Sequence, residues 1–573
     1  MEESVNPVPV PRPSATLVLA RDTAAGPEVL LVRRAERGDQ NSNRWVFPGG
    51  LIDASDGQLH ALCDGLDDGA ASRQLGIPQG GLDYFAAAIR ETFEETGLLL
   101  AKDANGQPLV ADTVALLGSW RAENSQPPRG EAGSLLAQLC RRAAWRLAAG
   151  DLRQISHWIT PIGLPKRFDT RFLLARAPQG QAVSVDGIEI VEHRWVRPAH
   201  VLHGSTDIQT VGPARVTLKA LEPHVSVASM LAWAASLGPL QAIQPRIARD
   251  AQGQLGPIQQ DHPAYAEAGR IDPLGSGKAW SIIRPDKAIE LAPGVLRITA
   301  DNGHFMTGPG TNSYLLRCGF EGGEGGDQWV LIDPGPDDEA HVQALMASVR
   351  GRLVAVLATH THTDHSPAAR RVKALTDAAV HGRLADHPDG QDASFAPDVP
   401  LVGGEVLRFG PALTLRVIHT PGHASNHLCF VHQQQRLLFT GDHVMQGSTV
   451  VINPPDGDMS AYLDALEDLA VQAASPEADF DWIAPGHGFL IPEPLRVFKT
   501  LIRHRLLRES KVMSALIELA TPAPITTDAL LARVYDDVSA ERHPVARRSL
   551  LAHLQRLESQ ARVTRSDELW SLP

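Results

Sequence analysis

The sequence predicts a multidomain α/β chain that ends in a small helical unit. Three observations predict it. A chain of 573 residues is too long for one core, and a length prior of three to four domains follows. From "GVLRITADN" to "WIAPGHGFLIP" short apolar strands alternate with glycine-rich turns and occasional helices, the pattern of an α/β sandwich. Beyond residue 499 the pattern becomes helical.

Residues 14–34, "SATLVLARDTAAGPEVLLVRR", read as two strands joined by a Gly-Pro turn. "NRWVFPGGLID" comes next, then an irregular stretch at 56–80 rich in Gly, Asp and Gln. A helix over about Tyr84–Thr96 ends at Gly97, because glycine readily takes the left-handed conformation that closes helices. Strand and helix signals continue to "ASMLAWAASLG", near residue 238. Residues 239–278 lack a period and hold many Gln, Gly and Pro, which reads as a linker. The expected domains are therefore 10–238 with an insertion at about 56–80, a linker at 239–278, a sandwich at 279–498 and a last domain at 499–573. In the last, "RHRLLRESKVMSALIELA", "TTDALLARVYDDV" and "PVARRSLLAHLQRLESQ" are three helices and "ARVTRSDELWSL" a hairpin, the winged-helix pattern. "EGGEGG" at 321 is the one low-complexity tract.

Hydrophobic content of 43% and charged content of 21% are ordinary for a soluble globular chain. No run of about 18 apolar residues occurs, so no membrane-spanning helix is expected. The start, "MEESVNPVPVPRPS", is acidic and proline-rich, unlike a signal peptide. Cys63, Cys140, Cys318 and Cys429 lie far apart with no C-x-x-C pair, which argues against a disulfide framework. The expectation is a cytoplasmic, reduced protein with no membrane partner. A net charge of −13 opposes broad attraction to nucleic acid. Basic residues nevertheless gather late in the chain: Arg496, Lys499, Arg503, Arg505, Arg508 and Lys511, then Arg542, Arg547, Arg548, Arg556, Arg562 and Arg565. They read equally as a guide for a phosphate backbone or as solvated faces balancing nearby carboxylates.

In "LVAVLATHTHTDH" an apolar strand runs into a loop that begins at His360. His360 and His362 are two apart, so on an extended backbone they point the same way and can grip one ion. Asp364 and His365 are offset enough to serve a second. Imidazole and carboxylate suit zinc, with manganese or iron left open. Three later fragments each offer a ligand beside glycine at the end of an apolar strand: His423 in "LRVIHTPGHASNH", Asp442 in "RLLFTGDHV" and His487 in "DFDWIAPGHGF". This set resembles the metallo-β-lactamase superfamily and its H-x-H-x-D-H motif, with an αββα sandwich as the implied fold. The resemblance implies His360, His362 and His423 on one zinc, Asp364, His365 and His487 on the other, and Asp442 bridging. Two such ions can activate water as a hydroxide nucleophile and polarise the group it attacks, with Asp364 as a catalytic residue orienting it. His427 and His443 read as supports of these ligands, and Cys429, inside "HLCFV", as a buried small residue. "TGPGTNSYLL", the "PGH" turns, "HRLLRE" at 504–509 and the winged helix resemble the lactamase-β-like protein 2 family, whose members include endoribonucleases acting on single-stranded RNA. Antibiotic hydrolysis is not expected, because a bridging aspartate resembles the glyoxalase II and ribonuclease branches.

"AAAIRETFEETGLLL" places Glu91, Glu94 and Glu95 three or four positions apart on one helix face, with Phe85, Ile89 and Phe93 as the opposite apolar stripe. Like charges at that spacing repel, so a cation between them is expected, and oxygen ligands suit Mg²⁺ or Mn²⁺. Arg90 to Leu98 resemble the second half of the Nudix box, with Thr92 a mild departure. Its first half is out of register: the frame puts Leu82 where a glutamate belongs. "FPGGLIDASD" resembles the displaced box start, Gly50 with Asp56 six residues on, split off by an insertion. That split, and "WITPIGLPKRFDTRFLLA", resemble the coenzyme A diphosphatase branch. The resemblance implies a Nudix α/β/α sandwich with Glu94 and Glu95 on the metal, Glu91 assisting them in binding and catalysis, and Arg90 holding a glutamate. Glu189 or Glu192 could add a base.

The expected protein is a Nudix domain, a linker, a dinuclear metallo-β-lactamase domain and a winged helix, acting as a metal-dependent hydrolase. Three readings stay open. The zinc site cuts single-stranded RNA guided by the winged helix, with the Nudix site processing nucleotides. Or it hydrolyses an acyl thioester while the Nudix site cleaves a nucleoside-diphosphate-linked compound of the coenzyme A type. Or the Nudix domain is a nucleotide sensor without turnover.

Overall fold

The computed structural model describes residues 8–36, 42–110, 132–185, 187–204, 207–319, 327–519 and 523–573; the tract at 321–326 lies outside them. The chain divides into two compact units, Met1–Arg246 and Ile247–Pro573.

The first unit is built on a mixed seven-stranded sheet. Strands Arg12–Thr23 and Gly26–Arg34 are antiparallel, with Thr23 opposite Gly26. The turn is therefore Ala24–Ala25, and the Gly-Pro expected to form it opens the second strand. Thr23 closes this turn through its hydroxyl, which donates to the Gly26 carbonyl at 2.7 Å and accepts the Ala25 N–H at 3.2 Å. Strand Arg12–Thr23 also runs parallel to Phe168–Arg176. Alternate residues face opposite sides of a strand, and both sides are covered here. Leu17, Leu19 and Leu30 join a core with Phe85, Ile89 and Phe93 of the helix Gly81–Thr96. Val18, Ala20, Val29 and Leu31 join another with Leu218, Leu221 and Met230 of two later helices. That is the α/β/α sandwich. The irregular stretch at 56–80 carries order of its own, a 3₁₀ helix Asp56–Leu62 and an α-helix Asp68–Leu75.

The second unit stacks a seven-stranded sheet on a six-stranded one. Tyr314, Val330, Ile332 and Leu357 of the first meet Leu415, Val417, Phe430 and Phe439 of the second in the central core. Helices Glu339–Ser348 and Ala368–Thr376 cover one outer face. Met459–Ala474 and Pro494–Leu519 cover the other, which gives the αββα order. Helix Pro494–Leu519 spans 26 residues and carries on into the winged-helix core, where Val512 and Leu516 meet Leu530, Leu550, Leu554 and Trp570. The boundary expected at 498/499 falls inside it.

The segment expected as a linker is largely ordered. It holds a ribbon turning at Asp250 and a helix, Tyr265–Ile271. Polar side chains bonded to backbone create this order, which a search for apolar period misses. The Asp250 carboxylate accepts two backbone N–H groups at 2.9 Å. Asp272 accepts those of Ser276, Gly277 and Lys278 at 2.7–2.9 Å. Glu267 is buried and takes Arg297 on both oxygens at 2.6 and 3.0 Å, and the Leu490 N–H at 2.8 Å. Leu490 lies three residues past His487, so this pair braces that loop. Removing one partner of a buried ion pair costs about 3–5 kcal/mol. Glu267→Ala is expected to lose that much, read as a lower denaturant midpoint; an unmoved midpoint would show that the pair contributes nothing.

No helix among the described residues is long and apolar enough to cross a membrane.

Candidate metal centre

Strand Arg352–Leu357, an inner strand of the first sheet, delivers His360, His362, Asp364 and His365 on the loop beyond its C-terminal end. His423, Asp442 and His487 arrive on loops that follow strands Leu413–His419, Leu437–Gly441 and Trp482–Pro485 of the second. All seven residues come together. Three overlapping groups have ligand atoms within 4.8 Å of one another: His360, His362 and His423; His360, His365 and Asp442; and Asp364, His365 and His487. Asp442 stands between the two sides. Its Oδ1 is 3.1 Å from His487 Nε2 and 3.3 Å from His365 Nε2, and its Oδ2 is 3.8 Å from His423 Nε2.

Tautomers are fixed from outside the cluster. His423 Nδ1–H donates to the Val451 carbonyl at 2.8 Å and His487 Nδ1–H to the Gly310 carbonyl at 3.1 Å. His365 Nδ1 lies 2.9 Å from Asp333 Oδ2. Each Nε2 is thereby left facing inward. His360 Nε2, His365 Nε2 and Asp442 Oδ1 are buried without a hydrogen-bond partner. Unpaired buried polar atoms are costly and rare, and His423 Nε2 faces His362 Nδ1 at 2.9 Å. Inward lone pairs beside carboxylates are the donor set of a divalent cation, so the residues fit a metal centre. Burial pushes the His360 imidazole well below its usual value, and the surrounding imidazoles add to this. Burial opposes the Asp442 carboxylate too, yet His487 and His365 hold it well below the usual range.

The supporting residues are only partly visible in sequence. Asp333 accepts the Thr359 N–H at 2.7 Å and hydroxyl at 2.8 Å as well as His365, so it aims the whole loop. The local signal for it was "LIDPGP", an aspartate closing a strand. Thr311 donates to Asp364 Oδ2 at 2.9 Å. His427 stacks on His360 with centroids 5.0 Å apart, and His443 packs between His427 and Tyr462. Both rings lie behind the cluster. Cys429 is buried, its thiol pushed up to about 12 by burial, so it stays a neutral core group.

In the first unit the glutamate helix assembles part of the expected arrangement. Arg90 binds Asp56 on both oxygens at 2.7 and 3.1 Å, both groups being buried. The displaced box start therefore meets the helix despite the insertion. Arg90 also donates to Glu91 Oε1 at 3.0 Å and Glu94 Oε2 at 3.1 Å. Glu95 turns to the Gly49 N–H at 2.9 Å. A Cβ on Gly50 would sit 2.4 Å from the Glu91 carboxyl, so a larger residue there would displace that carboxylate. The three glutamates do not form a convergent group like those of the second unit. Glu192 is engaged by Arg33 at 2.9 Å and Arg194 at 3.0 Å, whereas Glu189 adds negative charge near Glu91 and Glu95. Of "KRFDTRF", Asp169 pairs with His157 at 2.6 Å and Arg167 donates to the Pro9 carbonyl at 2.8 Å, both structural roles.

Burial pushes the Glu94 carboxyl up to about 7 against the pull of Arg90, and moves Asp56, Glu91 and Glu95 upward too. Between the ordinary 4.5 and about 7, the folded unit binds more protons than the unfolded chain. Its stability without metal is therefore expected to fall as pH rises through that window. Urea midpoints of the first unit at pH 5 and pH 7.5 check this; a higher midpoint at pH 7.5 would contradict it.

Residues 306–487 match the metallo-β-lactamase superfamily, 67–213 the NUDT19 Nudix domain and 526–570 the β-lactamase associated winged helix domain. An atrochrysone carboxyl ACP thioesterase of Passalora fulva is 29% identical over 290 residues, covering 49% of this chain and 79% of the relative. One from Aspergillus chevalieri is 31% identical over 232 residues, 40% of this chain and 67% of the relative. The β-lactamase-like protein 2 homolog of Drosophila melanogaster is 26% identical over 283 residues, 48% of this chain and 90% of the relative.

Proposed function

Because the chain belongs to the metallo-β-lactamase superfamily and joins that hydrolase domain to a NUDT19-type Nudix domain and a winged helix, we propose that the second unit hydrolyses an acyl thioester at a two-zinc centre. His360, His362 and His423 would hold one ion and Asp364, His365 and His487 the other, with Asp442 placed between the two sets. Such ions, when bound, make water nucleophilic at neutral pH and polarise a carbonyl. Asp364, fixed by Thr311, orients the attacking water. Its oxygen bonds to the thioester carbon, the carbon–sulfur bond breaks, and the departing thiolate takes up a proton to give acid and thiol. The loop hydrogen bonds of Asp333, Val451 and Gly310 keep the imidazoles in place throughout.

The observation that carries the choice of thioester over RNA is the fate of the basic residues. Arg508 and Lys511 pair with Asp537 and Asp536, Arg547 with Asp528, Arg565 with Glu568, and Arg496 with Glu493. Arg556 and Arg562 converge on the buried Glu509. Arg505 is buried. Lys499, Arg503, Arg542 and Arg548 form no ion pair among the described residues. A surface neutralised this far offers little counterion release to a phosphate backbone. The names of the thioesterase relatives support the same reading.

The test is a zinc-loaded panel of acyl-pantetheine thioesters and single-stranded RNA, run on wild type, Asp364→Ala and a variant with the four unpaired basic residues changed to Glu. Thioester turnover lost only in Asp364→Ala is the expected result. Metal-dependent RNA cleavage lost in the charge-reversed variant would replace this reading with the nuclease one.

For the first unit we infer hydrolysis of a nucleoside-diphosphate-linked compound of the coenzyme A type, for which Glu91, Glu94 and Glu95 would have to turn from Arg90 and Gly49 to hold Mg²⁺ or Mn²⁺. A sensor without turnover is the second reading, favoured by the ties of Glu91 and Glu94 to Arg90 and of Glu95 to Gly49. Coenzyme A incubated with Mg²⁺ separates them: turnover abolished by Glu94→Gln supports the enzyme, and binding without turnover the sensor.

A further inference from the structure

Arg505 lies in "HRLLRE", a motif to which neither the thioesterase reading nor the ligand set assigns a role. It sits on the helix Pro494–Leu519 with its guanidinium buried, 3% exposed. A buried cation is costly unless something specific holds it. Here Nη2 donates to the Val450 carbonyl, and the guanidinium lies over the Tyr462 ring at 5.4 Å. Both partners lead to one metal ligand. Val451, the next residue, is the acceptor that fixes His423 through Nδ1 at 2.8 Å. Tyr462 backs the turn before His423 so closely that a Cβ on Gly422, at φ +135°, would lie 2.4 Å from its Cα. Tyr462 also donates its hydroxyl to the His443 carbonyl at 3.1 Å, one residue past Asp442.

We propose that Arg505 is a positioning residue for the metal centre: it clamps the 450–451 backbone and the Tyr462 ring, and so sets the tautomer and direction of His423. This rests on the two-metal reading of the second unit. Arginine suits the place because its planar fork can donate to a carbonyl while its face covers an aromatic ring, which lysine cannot do in one geometry. Glu509, one turn further along the same helix, serves a different purpose. It receives Arg556 at 2.6 Å and Arg562 at 3.3 Å and anchors the winged helix.

The test titrates full-length, metal-free protein with Co²⁺ alone, following visible absorption and the paramagnetically shifted N–H signals of bound imidazoles. Wild type, Arg505→Met, Arg505→Lys and, as structural comparator, Glu509→Gln are compared. Residues that orient a metal ligand are typically worth about 10–100-fold in metal affinity, and about tenfold loss at one of the two ions is expected in Arg505→Met. One shifted N–H signal should then broaden through faster solvent exchange. Arg505→Lys should fall between this and wild type. Glu509→Gln should lower the unfolding midpoint and leave both Co²⁺ signals in place. Unchanged affinity and N–H signals in Arg505→Met would overturn the proposal, as would unchanged binding in Arg505→Lys where the methionine variant fails to fold. Failure of wild type to bind two ions would instead remove the two-metal reading itself.

Discussion

Asp442→Ala is expected to lower kcat for thioester hydrolysis by about 10³-fold and to reduce bound metal from two ions to one. The carboxylate faces His365 and His487 with one oxygen and His423 with the other, at 3.1–3.8 Å, so no other residue can take both places. Metal-ion assistance is worth several kcal/mol at the transition state, and about 4 kcal/mol is 10³-fold in rate. Removal also leaves His365, held well above its usual value by Asp364, Asp442 and Asp333 against the effect of burial, with less negative charge around it. Metal content by plasma emission and kcat on the same preparation check both halves. Two ions retained with kcat within tenfold of wild type would show that Asp442 does not bridge.

The second large effect belongs to the first unit. Arg90→Met is expected to destabilise it by about 3–5 kcal/mol, because Asp56 is left buried and charged without its partner. That is a large part of the 5–15 kcal/mol by which domains are usually stable. The cost should not be additive. Arg90→Met combined with Asp56→Asn removes the orphaned charge and should recover about 1–3 kcal/mol, the coupling usual for contacting residues. Urea midpoints of the single and double variants decide it: a single variant within 0.5 kcal/mol of wild type would mean the pair is not the anchor of the box.

Much of this was legible in sequence because it is local or repeats a local rule. Three of the seven candidate ligands lie beside glycine after an apolar strand and the other four crowd one short loop, and the helix Gly81–Thr96 shows its apolar stripe and terminal glycine directly. Asp56 could be paired with the helix because it keeps the box spacing from Gly50. What sequence hides is where long side chains go. Nothing local says that Arg508 meets Asp537, or that Arg556 and Arg562 share Glu509, so a basic tail and a neutralised one look alike. Nor does spacing show that Arg90 draws Glu91 and Glu94 while Glu95 turns to Gly49. Order in the segment after residue 246 rests on single carboxylates capping turns and on Glu267, signals that carry no period.

The division of the candidate metal ligands between two sheets also bears on how the protein would mature. His360, His362, Asp364 and His365 hang from one sheet and His423, Asp442 and His487 from the other, with dozens of residues between them. In a nascent chain the first set alone is a weak, flexible chelator, and closing those long loops carries an entropic cost that packing must first offset. High-affinity capture of metal is therefore expected to follow docking of the sheets. Metal uptake during refolding becomes a clock for that event, and a chain that takes up its ions slowly is one whose sheets are slow to meet.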